Sequence, residues 1–448
     1  MPESPGCRRP GLRHIRSENA ICFESAEFRP RHHGLPWAGW HSWSMESRYD
    51  VIIAGGGICG SALGLALART GQRVALIEGR SLEELGHTGF DGRSYTLALS
   101  SKSLLRSLGI WPDIECRVQP ITDMVISEGH PGQGASPFTL RFDRSECEEG
   151  QLGYVVEDRY VRQAVLGRLK DGSGVDLVTG ARVAGHDVAP GLATVQLSTG
   201  ESIECRLLVG CDGTNSRIAR QAGIQRLGWK YPQSNLTCSI SHELSHQGVA
   251  HQFFTPTGPF AILPLIGNRS TIYWTESTET AEWVHSQDDE GYLECLRPML
   301  GGLLGDYALE GDRAIFPLAL SIAERFFVER VALIGDAAHV IHPLAGQGLN
   351  VGLRDVAALA SVLEGAVERG EDVGAETTLV RYQEMRRFDA CFFGAVTDGL
   401  NRLYSNSLPV LPFFRQVAIG ALNRMPGLKR QFVRLAAGYG EAGSGSAR

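Results

Sequence analysis

The chain has 448 residues, 43% of them hydrophobic, and a formal net charge of −7. That length suits two or three lobes, at roughly 100–200 residues per domain. An acidic balance argues against nucleic-acid binding, and no run approaches the roughly 18 uninterrupted apolar residues that a membrane-spanning helix requires.

Residues 1–46 mix Pro, Arg, His and Trp without periodicity and are expected to be a disordered extension or a misassigned start. Glu3, Glu18, Glu24 and Glu27 argue against an acid-poor targeting peptide, and an apolar core for a secretory signal is lacking. Met45 stands directly before the first strand, so the biological start is expected at or near it.

Residues 49–54 read as an apolar strand. GGGICG follows, a Gly-X-Gly-X-X-Gly at Gly55, Gly57 and Gly60, and then a helical run and a second strand ending at Glu78. This is the βαβ context that the dinucleotide fingerprint requires. Gly55 makes the tight turn, Gly57 admits a pyrophosphate, Gly60 packs helix on strand, and Glu78 is placed to hold a ribose. The motif alone does not separate NAD from FAD. FDGRSYTLALSSKSLLRSLGIW places Arg93 just before a helix-like run, as a surface residue or a contact to the cofactor.

Residues 121–145 suggest strands. GYVVEDRYVRQAVLGRL turns from strand to helix at Asp158, and CRLLVGCDGTNSRIARQAGI contains a buried strand ending at Asp212-Gly213. Residues 226–325 alternate in character (LTCSISHEL, FAILPLI, STIYWTEST), as in an antiparallel sheet, and suit a wall for an apolar substrate.

RVALIGDAAHVIHPLAGQGLNVGLRDVAAL, from Arg330, is the stretch around which the chain is organised. A buried strand stops at Gly335, Asp336 follows at its tip, and a helix begins after Gly348 with Leu349, Val351, Leu353, Val356, Leu359 and Ala360 on one broad face. Gly-X-Gly opening into a helix exposes backbone N–H groups to an electron-rich ligand, and the helix dipole favours negative charge there. If the strands are parallel neighbours, the acidic tips at Glu78, Asp212 and Asp336 converge. Residues 379–404 look helical. The basic, aromatic stretch 408–437 suits either a packed tail helix or a segment lying on an anionic membrane surface.

Ten cysteines show no paired-cluster spacing. Cys59, Cys205, Cys211 and Cys391 read as core thiols in a reducing compartment. No metal site is predicted, because His339 and His342 lack an evident third ligand.

Four motifs carry a family resemblance: GGGICG with Glu78, FDGRSYTLALS with Gly109-Ile110-Trp111, LLVGCDGTNS, and GDAAHVIHPLAGQGLNVGLRD. From about Tyr49 to Gly438 the chain resembles the class A flavoprotein monooxygenases. Within them it is similar to the aromatic-ring hydroxylases of ubiquinone biosynthesis, the UbiH/UbiF/VisC group. The resemblance implies an α/β fold: a Rossmann-like FAD-binding domain (47–225 and 326–395), an inserted, mostly antiparallel β-sheet substrate domain (226–325 with part of 120–150), a C-terminal helical segment (396–438) and a flexible tail (439–448).

It also implies roles. Gly55, Gly57, Gly60 and Glu78 would hold the ADP half of FAD, with Arg93 and Asp158 as further cofactor contacts. Asp212 and Gly335 would be cofactor contacts as well, and Asp336 would bind the ribityl–pyrophosphate portion. Pro343, Gly346, Gln347, Gly348, Leu349 and Asn350 would border the flavin ring. The family's usual arginine seven places after the DG aspartate is replaced by Ala219, with Arg217 and Arg220 nearby. The implied reaction is hydroxylation of a polyprenylated phenol by O2 through a flavin C4a-hydroperoxide, with NAD(P)H as reductant; no catalytic side chain is implied, and His339 and His342 are candidates for assisting the phenol proton by reach alone. The implied setting is cytoplasmic, peripheral on the inner face of the membrane, in contact with a ubiquinone-biosynthesis complex. A hydroxylase of a soluble aromatic compound, a flavin reductase of a prenyl chain and a non-catalytic flavoprotein scaffold share these motifs.

Overall fold

In the computed structural model, five parallel strands run through the centre of the molecule: β1 (Arg48–Ala54), β2 (Val74–Glu78), β3 (Val175–Thr179), β4 (Ser202–Gly210) and β5 (Val331–Leu333). Their order across the sheet is β3-β2-β1-β4-β5, and the strand Phe327–Val328 closes one edge antiparallel to β5. The residues described are 48–129, 139–147, 149–405, 427, 431, 434, 437 and 438. The expected extension (1–46), most of 408–437 and the tail (439–448) lie outside them.

A parallel sheet must be covered on both faces, so its strands read as unbroken apolar runs. Ile52, Ile53, Leu76, Leu208, Val209, Ala332 and Leu333 are fully buried. The helices α1 (Ile58–Ala68), α2 (Asp158–Lys170), α3 (Gly348–Glu368) and α4 (Glu376–Tyr404) complete this half. Because the five strands are parallel, the ends of β1, β2, β4 and β5 lie along one edge of the sheet.

A second, eight-stranded sheet takes five strands from residues 226–323 and three from outside that range. Its order is His339–Val340, Tyr307–Ala323, Arg226–His242, Arg269–Ser277, Gly258–Leu265, Val249–Thr255, Asp123–Glu128 and Leu140–Asp143. It is antiparallel except where Val249–Thr255 runs beside Asp123–Glu128. A three-stranded antiparallel sheet (Ser94–Leu97, Gly153–Glu157, Val118–Ile121) stands apart from both. The loop leaving β5 passes directly into the second sheet, where Val340 and His339 pair with Ser321 and Ile322.

Two helices, Thr278–Ser286 and Asp289–Leu300, interrupt the region expected to be sheet. Ser277 and Asp288 cap them, accepting the N–H groups of Thr280 and Gly291. Ala281, Val284, Tyr292, Leu296 and Leu300 pack with Leu236, Ile240 and Phe260 of the sheet in a separate core. After Tyr404, Ala437 is buried in the main core, and its carbonyl accepts the Ser100 N–H at 3.1 Å.

Candidate active site

The glycine turn after β1 is fixed by close backbone approach. Gly55 has φ +111°, and a Cβ there would lie 2.3 Å from the Cys211 carbonyl oxygen. A Cβ at Gly60 would lie 2.0 Å from the Gly55 carbonyl oxygen. Gly57 differs: nothing lies within 4 Å of its Cβ position, and it caps α1 with no side-chain hydrogen bond. The first turn of α1 therefore offers bare N–H groups to the space above it.

Glu78 ends β2 beneath this turn. Its Oε2 accepts the Gly56 N–H at 2.8 Å, and its Oε1 accepts the Arg80 N–H at 2.9 Å and the Arg80 Nε–H at 3.0 Å. Burial alone would push its pKa up, but these bonds and the Arg80 charge hold it below the usual carboxylate value. The Gly56 and Arg80 that this carboxylate holds line a cleft of about 670 Å³, open mouth included, together with Gly57, Arg93, Asp158 and Arg162.

Arg93 and Asp158 meet across that cleft. Arg93 donates to Asp91 at 2.6 Å and reaches Asp158 at 3.5 Å. Asp158 opens α2, is buried, and also accepts from Tyr95 (2.9 Å) and Arg162 (3.0 Å). Both of its oxygens are engaged by protein, so it fixes the arginines that line the cleft. Asp212 is likewise committed locally. It accepts the Ser216 hydroxyl at 2.5 Å and the N–H groups of Arg217 and Ile218 at 2.6 and 3.2 Å, and so supports the first turn of the short helix Arg217–Gln221 that Ser216 caps. Ala219 is buried, while Arg217 and Arg220 are exposed.

The turn after β5 is held by a residue that sequence reasoning passed over. Asp355 on α3 is fully buried and accepts the Gly335 N–H at 3.0 Å; His339 Nε2 lies 2.6 Å from it and Arg386 Nε on α4 2.8 Å. Burial works against its charge, but His339 and Arg386 outweigh that and lower its pKa. Tyr382 on α4 adds a bond to the Leu333 carbonyl at 2.8 Å. An acid in the apolar face formed by Val351, Val356 and Leu359 was the available signal. With the turn pinned, Asp336 is left with an exposed side chain. The surrounding protein mass raises its pKa, an effect partly offset by His339 and Arg226.

α3 begins at Gly348 with no side-chain cap, and nothing lies within 4 Å of a Cβ at that glycine. Its start lies beside that of α1: a Cβ at Gly352 would meet Cys59 Sγ at 2.8 Å and Gly335 Cα at 3.3 Å. Gly346 has φ +62° against Thr96. Gln347 is buried, Leu349 is half-buried and Pro343 is exposed. Asn350 is used as a strut. Its oxygen accepts from Ala98 N–H (2.9 Å) and Ser101 (2.8 Å), and its amide donates to the Thr96 carbonyl at 2.9 Å, so its side chain serves the wall behind the site. Leu344 packs with Phe254 and Tyr404, whose rings stack at 3.9 Å.

Known proteins share this fold and resemble the chain in sequence. The FAD binding domain family matches residues 48–390. The chain is 40% identical to the ubiquinone hydroxylase UbiL of Rhodospirillum rubrum, over 88% of this chain and 91% of that one. It is 34% identical to the 3-demethoxyubiquinol 3-hydroxylase of Escherichia coli, over 87% and 98%. The fold superposes on p-nitrophenol 4-monooxygenase PnpA of Pseudomonas putida with a TM-score of 0.74 at 18% identity, over 88% of this chain and 99% of that one. It superposes on Klebsiella pneumoniae HpxO complexed with FAD with a TM-score of 0.71 at 17% identity, over 88% and 100%. The chain belongs to the FAD-binding-domain family of class A flavoprotein monooxygenases, among its ubiquinone hydroxylases.

Proposed function

We propose that this protein hydroxylates the aromatic ring of a polyprenylated phenol intermediate in ubiquinone biosynthesis, using FAD, O2 and NAD(P)H. The observation that carries the reading is the pairing of two uncapped helix starts, at Gly57 and Gly348, with open space over both glycines. Such an edge fits a long anionic cofactor, since amide groups and helix dipoles favour negative charge at both places. The relatives' names supply the substrate class.

In this reading Gly57 and the first turn of α1 hold the pyrophosphate, Glu78 holds a ribose, and Arg93, positioned by Asp91 and Asp158, lines the adjoining cleft. Asp336 receives the hydroxyl-bearing linker of the cofactor. Pro343, Gly346, Gln347, Gly348 and Leu349 border the ring, Asn350 braces them from behind, and the start of α3 provides positive potential for a reduced, anionic ring. When bound, the flavin supplies oxygen-activation chemistry that amino-acid side chains lack. The protein's part is to place it and keep water out, and the apolar group of Leu344, Phe254 and Tyr404 suits that task.

Asp336→Ala is expected to purify without bound flavin, read as loss of the yellow absorbance near about 450 nm that a bound flavin confers. A variant that stays yellow contradicts the assignment. We also propose peripheral contact with the membrane through the basic, aromatic segment 408–437, since a polyprenyl substrate resides in lipid. No helix among the described residues is long and apolar enough to cross a membrane. Full-length protein is expected to float with anionic liposomes, and protein lacking 408–437 is expected to stay at the bottom of the gradient.

A further inference from the structure

Arg226 opens the long strand Arg226–His242 of the second sheet, and its guanidinium reaches back to the turn after β5. Nη2 donates to the Asp336 carbonyl at 3.1 Å, and Nη1 donates to the Ala337 carbonyl. On the sheet side, Nε donates to the Ser321 hydroxyl at 2.8 Å and Nη2 to the Ser321 carbonyl at 3.2 Å. Ser321 pairs with Val340, so the guanidinium sits at the seam where the loop after Asp336 joins the second sheet. The clamp joins residues 110 apart in sequence.

All of these partners are neutral oxygens. A half-buried guanidinium more commonly meets a carboxylate in a bidentate pair. Burial lowers the Arg226 pKa, and the charges of Asp336 and Asp212 oppose that. Asp212 is engaged by its own following helix, whereas the Asp336 side chain is exposed. The groups facing the Asp336 carboxylate come from several elements: Cys59 on α1, Cys211 and Thr214 after β4, Arg226 on the second sheet and His339 on its own loop. Burial pushes both thiols up, so they carry no charge near neutral pH. His339 is shared with Asp355 at 2.6 Å. Arg226 is the permanent cation of the group.

We propose that Arg226 is a positioning residue for the cofactor: reaching across from the second sheet, it fixes the backbone of the Asp336 turn and lends positive charge to that acidic strand tip. The Asp336 carboxylate then stands ionised and aimed, ready to accept a hydrogen bond from a cofactor hydroxyl. The inference rests on the proposed function, which assigns Asp336 to the hydroxyl-bearing linker. A carboxylate deprived of a neighbouring cation keeps its proton to higher pH, and in that form it is the weaker acceptor.

The test is equilibrium dialysis of FAD against flavin-free wild type, Arg226→Gln, Arg226→Lys and Asp336→Asn, from acid to neutral pH, with flavin-free melting curves alongside. Wild-type affinity is expected to fall on the acid side as Asp336 takes up a proton, and Asp336→Asn, weaker throughout, should lack that fall. Arg226→Gln should bind FAD at least about tenfold more weakly at neutral pH, and its acid-side fall should move up by about 1 pH unit or more. Arg226→Lys, which keeps the charge, should leave the fall where wild type has it. A merely structural role would weaken binding alike at every pH. Should Arg226→Gln fail to fold, Arg226→Met, which keeps the apolar stem, is read in the same way. An acid-side profile identical to wild type in the uncharged variant overturns the inference. Wild-type affinity and pH profile in Asp336→Asn instead overturn the place given to Asp336 in the proposed function, and the inference with it.

Discussion

Asp355→Ala is expected to cost about 3–5 kcal/mol of stability, because breaking a buried ion pair from one side strands the other charge. Arg386, 6% exposed, would lose its Nε partner and keep Asp389 at 2.6 Å. The Gly335 N–H and His339 would be released together, so the Asp336 turn should loosen and flavin be lost along with stability. Denaturant unfolding and the absorbance of the purified variant measure the two effects. The pH dependence follows from the depressed pKa of Asp355. The unfolded state binds the proton more readily, so this carboxylate's contribution is complete above its ordinary value of 3.8 and is lost as pH falls below that through the lower folded value. Asp355→Asn should therefore lack this part of the acid-side fall in stability.

That residue shows what the sequence could and could not disclose. Gly55, Gly57, Gly60 and Glu78 were legible because their meaning is local: a turn, a helix start and a strand tip within one βαβ unit. The convergence of Glu78, Asp212 and Asp336 on one sheet edge was legible from their place at strand ends. The duties of individual side chains were not, because partners far along the chain assign them. Asp158 is claimed by Tyr95 and Arg93, and Asn350 by Ala98 and Ser101. Asp212 instead closes on its own following helix. The helices at 278–300 were overlooked although Ser277 and Asp288 announce them, because the surrounding alternation outweighed two short, polar segments.

Gly60→Ala should damage the protein as a whole, whereas Gly57→Ala should damage only its hold on the cofactor. At Gly60 the new methyl would press on the Gly55 carbonyl oxygen, 2.0 Å away, and backbone does not yield cheaply. Overpacking of this kind costs about 1–3 kcal/mol or more, and α1 would be pushed off the turn that it completes. At Gly57 the methyl meets nothing within 4 Å and points into the proposed pyrophosphate space. That variant should melt like wild type in the flavin-free state yet bind FAD at least about tenfold more weakly, or about 1.4 kcal/mol. Flavin-free melting curves and equilibrium dialysis against FAD separate the two outcomes.

The position of β5 bears on how the protein is made. β5 pairs with β4 through Leu208–Val331 and Val209–Ala332, yet the residues of the second sheet from Arg226 to Ala323 are synthesised between them. A ribosome must deliver that entire insertion before β4 gains its neighbour. Throughout that interval the nascent chain carries an unpaired apolar edge, the type of surface that invites mispairing. Premature termination before Arg330 would leave that edge permanently open, so truncated products should be substrates for chaperones and proteases.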